Sequence, residues 1–378
     1  MRILFAGGGT GGHFYPIIAV AEELNALADK EKIIELKLHY ASTEPYDNAA
    51  LLRNGIKFEQ IYAGKVRIYF SPKNIIDIFK TFVGFIKALG MVYRLYPDVV
   101  FSKGGYASVP TVLAARILGI PVIIHDSDSV PGRANLFAGK FAKRIALSFE
   151  SAASYFKHKD RIAITGQPVR RDLREATREG AYEHFDLDPT KKTILIFCGS
   201  QGAQKINDIV LDTLPHILKE YQVIHQTGDK NKDIVMKEAK VILGKDYETL
   251  SKNYKVFGFL NTLSTKLAGG IADVSIARAG SSIFELSLWG VPSILIPITS
   301  SNGDHQRKNA YAVARTGGAV VIEEANMKDT IIISEIERIL KNETLHDQMS
   351  RDIKHFATPD SAGIIAGEIL RVALDHEK

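Results

Sequence analysis

A chain of 378 residues is longer than one hydrophobic core usually supports, so two domains are the expectation. With 46% hydrophobic and 24% charged residues it has an ordinary globular composition, and a net charge of +5 permits anionic substrates or membranes without implying nucleic acid. The single cysteine, Cys198, excludes an intramolecular disulfide framework, and there is no RNA-binding signature, no zinc-type Cys/His spacing and no uncharged apolar run of about 18 residues.

The first predicted strand, 2–6, is too short an apolar run for a signal peptide, which points to a cytoplasmic protein. It runs into Gly7-Gly8-Gly9-Thr10-Gly11-Gly12-His13-Phe14-Tyr15-Pro16. The spacing of Ile17, Ile18, Val20, Ala21, Leu24 and Leu27 predicts a helix over 16–28. Pro16 suits its first turn, where a missing N–H costs nothing. Such a turn aims backbone N–H groups outward at the positive end of the helix dipole, where anions, phosphates above all, bind. Gly7, Gly9 and Gly12 also satisfy a dinucleotide fingerprint, with Glu44 as its ribose acid, but that signal is weak by itself. A turn merely tightened by glycines is the plainer alternative; against it stands the entropic cost of so many glycines together. His13 adds a group that titrates near neutral pH.

Further strands are predicted over 35–41, 57–62, 98–102, 121–125, 144–148 and 162–165, and helices over 45–54, 74–95, 107–118 and 133–141. This alternation predicts a parallel sheet covered by helices, with ligands beyond the carboxyl ends of its strands. The strand at 98–102 also runs into glycines, Lys103-Gly104-Gly105-Tyr106, so a second turn points to the same edge. The segment 65–96 is different. It carries Lys65, Arg67, Lys73, Lys80, Lys87 and Arg94 against one acid, Asp77. On a helix Ile75, Phe79, Phe82 and Ile86 share a face and Phe85 adjoins it. That stripe is either core or the apolar side of a basic element lying on an anionic bilayer. His125-Asp126-Ser127-Asp128 ends a strand; its carboxylates beside a histidine suit acid–base or metal work, or they simply form a turn. No second cluster completes a metal site, so no protein-held metal is expected.

The pattern restarts after a boundary near 165–169. Strands are predicted over 193–198, 222–225, 255–257, 273–277, 292–297 and 319–322. The first runs into Gly199-Ser200-Gln201-Gly202-Ala203, where Ser200 either touches a phosphate or sits in a plain turn. Cys198 reads as a buried strand residue. Ala277-Arg278-Ala279-Gly280-Ser281-Ser282 leads into a helix over 283–289, whose free N–H groups suit a diphosphate. Glu285, one turn in, is placed to accept from two vicinal ribose hydroxyls, unless Ser281 and Glu285 are only a cap and its partner. Asp304-His305-Gln306-Arg307-Lys308-Asn309 opens another helix with side chains suited to sugar hydroxyls or to water. Two similar α/β halves with phosphate-friendly turns suit a large, two-part phosphorylated reactant pair.

Taken jointly and in order, several motifs resemble the MurG family. They are Gly8-Gly9-Thr10-Gly11-Gly12-His13-Phe14-Tyr15-Pro16, Gly104-Gly105-Tyr106, Gly166-Gln167-Pro168-Val169-Arg170, Gly199-Ser200-Gln201-Gly202-Ala203, Arg278-Ala279-Gly280 with Glu285, and Asp304-His305-Gln306 with Asn309-Ala310. The likeness covers about 2–310. It implies a GT-B fold, α/β, of two Rossmann-like domains with parallel sheets facing a central cleft. It also implies inverting transfer of GlcNAc from UDP-GlcNAc to lipid I (undecaprenyl-pyrophosphoryl-MurNAc-pentapeptide), forming lipid II for peptidoglycan and cell-wall synthesis. No cofactor or metal is implied, and the location implied is peripheral, on the cytoplasmic face of the cell membrane against its anionic inner leaflet. The domains are then 1–166 for the acceptor and membrane, 167–355 for the donor, and a helix in 356–378 packing back on the first.

Carried over by position, His13 and Asp126 are the implied proton-transfer groups. Thr10, Gly11, Gly12, Asp128, Arg170, Ser200, Gly280, Ser281, Ser282 and Ile283 serve the donor, with Leu260 at the uracil, Glu285 at the ribose and Gln306 at the GlcNAc hydroxyls. Gly104, Gly105, Tyr106 and His125 serve the acceptor. Ile75, Phe79, Phe82 and Phe85 form the membrane patch. The chain departs from the family in having Asp126-Ser127-Asp128 where Glu-Gln-Asn is usual, in Gln167, and in a loop one residue shorter between Gly280 and Glu285. The first departure bears on the sugar or acceptor, the last on nucleotide fit. The alternatives are a UDP-sugar transferase to another lipid-linked acceptor, a UDP-sugar epimerase, and a non-enzymatic sugar-nucleotide sensor. An NAD-dependent enzyme follows only if the first glycine loop is read alone.

Overall fold

The computed structural model describes residues 1–64, 73–199, 203–299 and 301–376, without the side chains of 73–79 and Asn302. Two compact units emerge, Met1–Arg170 with Pro359–Lys378, and Arg171–Thr358.

In the first unit, β1 (Arg2–Ala6), β2 (Lys37–Ser42), β3 (Ile56–Gln60), β4 (Val99–Ser102), β5 (Val122–Asp126), β6 (Arg144–Leu147) and β7 (Ile162–Ile164) form one sheet. All pairs are parallel, in the order β3-β2-β1-β4-β5-β6-β7. Both faces of such a sheet are covered, which is why its strands read as continuous apolar runs; Ile3, Leu4, Phe5 and Ala6 are all fully buried. The helices are α1 (Gly11–Lys30), α2 (Asn48–Arg53), α3 (Lys73–Leu95), α4 (Val109–Ile117) and α5 (Arg133–Ala138). The C-terminal helix, Ser361–His376, lies along α1. Its Ile365, Ile369 and Val372 join a core built on Phe5, Phe14, Ile17 and Phe101. Arg144 Nε donates to Glu368 Oε1 at 2.6 Å and ties β6 to this helix.

In the second unit, β8 (Thr193–Phe197), β9 (Gln222–Gln226), β10 (Tyr254–Phe257), β11 (Ala272–Ala277), β12 (Ser293–Leu295) and β13 (Ala319–Val321) form a parallel sheet. Its order is β10-β9-β8-β11-β12-β13. Every strand expected from the sequence is present, and both sheets are doubly wound. The strand order reverses at β1/β4 in one and at β8/β11 in the other, and a crevice opens beyond the carboxyl ends at such a point.

Two local findings differ from the sequence reading. The helix α1 starts at Gly11, not at 16, so Pro16 sits inside it. The N–H groups of His13 and Phe14 both donate to the Thr10 carbonyl, at 3.1 and 3.2 Å, and wind Gly11, Gly12 and His13 into the first turn. Poor helix propensity of glycine argued against this; tertiary packing of Phe14 and Ile17, both fully buried, overrides it. In α3 the buried face is Gly84, Ala88, Met91 and Val92. Gly84 rides directly on the Tyr62 carbonyl, where no side chain would fit. Phe82 and Ile86 therefore point away from the core, 58% and 55% exposed, and Phe85 is half-buried. The side chains of Ile75 and Phe79 lie outside the described residues. Among the described residues no helix is long and apolar enough to cross a membrane.

Candidate active site

At the β1/β4 reversal, two glycine turns interlock. Gly9 has φ +95°, and a Cβ there would stand 3.1 Å from the Tyr106 ring. Gly105 has φ +79°, and its Cβ would stand 2.8 Å from the Gly8 carbonyl oxygen. Only glycine meets both demands. The His13 ring lies beside the crossing, 3.7 Å from that Gly105 position. Thr10 Oγ1 and His13 Nδ1 are 2.9 Å apart. The hydroxyl is thus spent on the imidazole and caps no helix N–H. Burial lowers the His13 pKa to about 4, helped by the Lys103 charge and opposed by Asp128. The imidazole is therefore neutral at pH 7. In the tautomer that donates Nδ1–H to Thr10, Nε2 keeps its lone pair for a proton.

Lys103 is the residue at this edge that sequence reasoning passed over as part of a turn. It is only 2% exposed. Its Nζ donates to Ser127 Oγ, whose own hydroxyl donates to Gln167 Oε1 at 2.6 Å. Burial lowers its pKa to about 8, against the pull of Asp126 and Asp128. A lysine directly before Gly104-Gly105 at a strand end was the available signal.

Two expected site residues turn inward. Asp126 Oδ1 accepts from the Asp128 N–H at 3.0 Å, and Oδ2 accepts from the Gly132 N–H at 3.0 Å and Asn135 Nδ2 at 2.8 Å. Both oxygens of Asp126 are engaged in shaping the turn after β5. Burial raises its pKa, and Asp128 adds to that. His125 is fully buried on a central strand, with its Nε2–H donating to the Gly166 carbonyl at 2.9 Å. It braces the end of the sheet, and burial holds its pKa well below the ordinary histidine range. Arg170 lies with its guanidinium 4.1 Å from the centre of the Tyr15 ring.

The second unit builds its own edge. Ser200 lies outside the described residues. The turn after β11 enters the helix Ser282–Trp289, and Ser281 makes no side-chain cap bond. The Ile283 and Phe284 N–H groups bond back to the carbonyls of Gly280 and Ser281, so those of Ser281 and Ser282 head the helix. Space is open above Gly280. Glu285 is half-buried one turn in. Leu260 is buried; its N–H donates to Gln226 Oε1 at 3.0 Å and its carbonyl accepts from the Thr265 hydroxyl at 3.1 Å. Its N–H is thereby taken. Gln306 Oε1 accepts from the Ile298 N–H at 3.1 Å, which turns its amide N–H groups toward other acceptors. Asn309 Nδ2 donates to the Ala279 carbonyl at 3.1 Å and ties the next helix to the glycine turn.

Under this edge lies a clamp with no sequence signature, because its members are far apart in the chain. Glu324 pairs with Arg278 at 2.7 Å and Lys205 at 2.9 Å and accepts from the Thr299 hydroxyl at 2.9 Å. Arg278 also donates to the Ile296 carbonyl at 2.9 Å. The clamp joins the ends of β11, β12 and β13 to the start of the helix Gln204–Ile217. Burial alone would raise the Glu324 pKa, but the bonds from Lys205, Thr299 and Arg278 outweigh it and lower it to about 2. Cys198 is buried and its thiol pushed up to about 12, so it is inert. Among the described residues no three His, Cys, Asp or Glu side chains converge as metal ligands.

Residues 3–147 match the glycosyltransferase family 28 N-terminal domain and residues 193–362 its C-terminal domain. The UDP-N-acetylglucosamine–N-acetylmuramyl-(pentapeptide) pyrophosphoryl-undecaprenol N-acetylglucosamine transferase of Halothermothrix orenii is 33% identical over 364 residues, 95% of each chain. The enzyme of the same name from Flavobacterium psychrophilum is 32% identical over 375 residues, 98% of this chain and 97% of its own. Among solved structures, Acinetobacter baumannii MurG superposes with a TM-score of 0.72 at 25% identity, covering 98% of this chain and 99% of its own. The UDP-GlcNAc 2-epimerase of Neisseria meningitidis, solved with UDP-GlcNAc, reaches 0.69 at 16% identity, over 98% of this chain and 100% of its own, a likeness of fold alone.

Proposed function

The chain belongs to glycosyltransferase family 28, to the group of MurG enzymes, and from that premise we propose that it moves GlcNAc from UDP-GlcNAc to lipid I, forming lipid II in peptidoglycan synthesis. The observation that carries the chemistry is the neutral His13 beside two interlocked glycine turns. The acceptor's sugar hydroxyl attacks C1 of GlcNAc, its proton passes to His13 Nε2, and UDP leaves with inversion at C1. The turn Gly104-Gly105-Tyr106 receives the acceptor diphosphate on backbone N–H groups, and Thr10, Gly11 and Gly12 lie beside it toward the donor sugar.

On the donor, the N–H groups of Ser281 and Ser282 with the helix dipole take up the charge that develops on the UDP diphosphate. Gly280 and Ile283 shape that turn. Glu285 accepts from the ribose, Gln306 donates to the GlcNAc hydroxyls, and Leu260 meets the uracil through its carbonyl. Arg170 adds positive charge at the diphosphate, and Asp128 faces the donor sugar.

The test is UDP release by purified protein from UDP-GlcNAc, with and without a lipid I analogue, in EDTA. Release that depends on the acceptor and survives the chelator is the expected result. UDP-GlcNAc binding without release discards lipid I as the acceptor, and epimerisation without acceptor discards transfer altogether.

We also propose that α3 rests on the inner leaflet of the cytoplasmic membrane. Supporting this, Phe82 and Ile86 are exposed on a helix that carries Lys80 and Lys87. Replacing both by serine is expected to weaken binding to vesicles containing anionic lipid at least several-fold, while the thermal midpoint stays within a few degrees because neither side chain is in the core. Unchanged vesicle binding would discard this placement.

A further inference from the structure

Lys103 does nothing in the transfer chemistry described so far, yet a lysine is rarely buried this completely. It stands at the crossing of the two glycine turns. Its N–H donates to the Ala6 carbonyl at 2.9 Å, which fixes its stem against β1. Its Cβ lies 3.4 Å from where a side chain on Gly7 would begin. The ammonium is pinned by the chain Lys103–Ser127–Gln167, so it is neither mobile nor solvated. Two residues on, Gly105 brings the same turn against the His13 ring.

The charged and titratable groups around His13 come from three elements. Thr10 bonds it from its own turn, the charge of Lys103 at the end of β4 opposes its protonation, and that of Asp128 in the turn after β5 favours it. Lys103 in turn sits among Asp126, Asp128 and the neutral His125. When His13 takes a proton, the new imidazolium is repelled by Lys103 and attracted by Asp128, in a setting where water screens neither interaction fully. Burial and the ammonium act in the same direction.

We propose that Lys103 is a positioning residue whose buried charge, beside the burial of the ring itself, helps hold His13 in its neutral, proton-accepting form, with Asp128 as the opposing charge. Its action is electrostatic. It touches no substrate, and it makes His13 pass a proton on instead of retaining it. The proposal rests on the reading of His13 as the proton acceptor, and the experiment separates the two.

The His13 imidazole is titrated by NMR in histidine-labelled protein, with His13→Gln to assign its signal, in the unaltered protein and in Lys103→Met. In parallel, kcat/KM for UDP release is measured against pH. In Lys103→Met the His13 midpoint is expected to rise by about one pH unit toward the ordinary value near 6.5. The acid limb of kcat/KM should rise with it, so the loss of activity is greatest at the acid end of the profile, near the His13 midpoint, and vanishes toward neutral pH. Asp128→Asn should move the midpoint down. If Lys103→Met does not fold, Lys103→Gln, which removes the charge but keeps a polar end, replaces it. A midpoint that does not move overturns the proposal, even if activity falls equally at every pH. A midpoint that rises while the acid limb stays in place supports the role of Lys103 and overturns His13 as the base.

Discussion

His13→Gln is expected to lower kcat for UDP release by about 10²–10⁴-fold while the Kd for UDP-GlcNAc stays within about twofold. The size follows from what a positioned general base contributes, and the selectivity follows from the geometry. Glutamine can still bond the Thr10 hydroxyl, as His13 Nδ1 does at 2.9 Å, so the first turn of α1 keeps its shape. It has no group that takes a proton near neutral pH. The turn at Gly280, proposed to hold the donor, belongs to the other unit and is untouched. Kinetics at saturating acceptor, with calorimetry for the donor, check both halves. An unchanged kcat would remove His13 from the chemistry and leave it a turn-shaping role.

Glu324→Ala should cost about 3–5 kcal/mol, the usual effect of removing one partner from a buried ion pair. Arg278 and Glu324 have side chains only 10% and 5% exposed, so the arginine left behind is buried without its counter-charge. The Arg278 Nε already has no partner among the described residues, which leaves it little room to adapt. The loss should be read as a lower urea midpoint for Arg171–Thr358 and as weaker UDP-GlcNAc binding, because the clamp sets the turns after β11 and β12. The pH dependence has a definite sign. Glu324 titrates lower in the folded protein, at about 2, than the ordinary value of 4.5. Its contribution is fully present above about 4.5 and is lost as pH falls toward 2. The variant and the unaltered protein should therefore differ fully at pH 7 and converge only as the pH falls to about 2. Equal midpoints at pH 7 would show that the clamp contributes nothing.

Much of this site was legible in the residues. Strands such as 2–6 and 193–198 stand out because a parallel strand buried on both faces is apolar throughout, and their glycine turns follow directly in the chain. The turn Gly280-Ser281-Ser282 with Glu285 could be read because all its parts lie within one helical turn. The surroundings of His125 and Asp126 were not legible, because their hydrogen-bond partners, Gly166, Gly132 and Asn135, come from elsewhere in the chain. The start of α1 was misplaced because glycine's weak helix propensity is a local preference, and the packing of Phe14 and Ile17 is not local.

By itself, then, the amino-acid order determined the α/β alternation, the two-fold repetition of the doubly wound pattern, the glycine turns and the family. Each of these is encoded by residues close together in the chain, where spacing and side-chain type state the physics directly. The tertiary structure decided the electrical state of the site. It buried Lys103 against Ser127, kept His13 neutral by removing water from around it, and tied Arg278 to Glu324. Those outcomes depend on which charges the fold brings together and how much water it removes from between them, and neither quantity exists until the chain has folded.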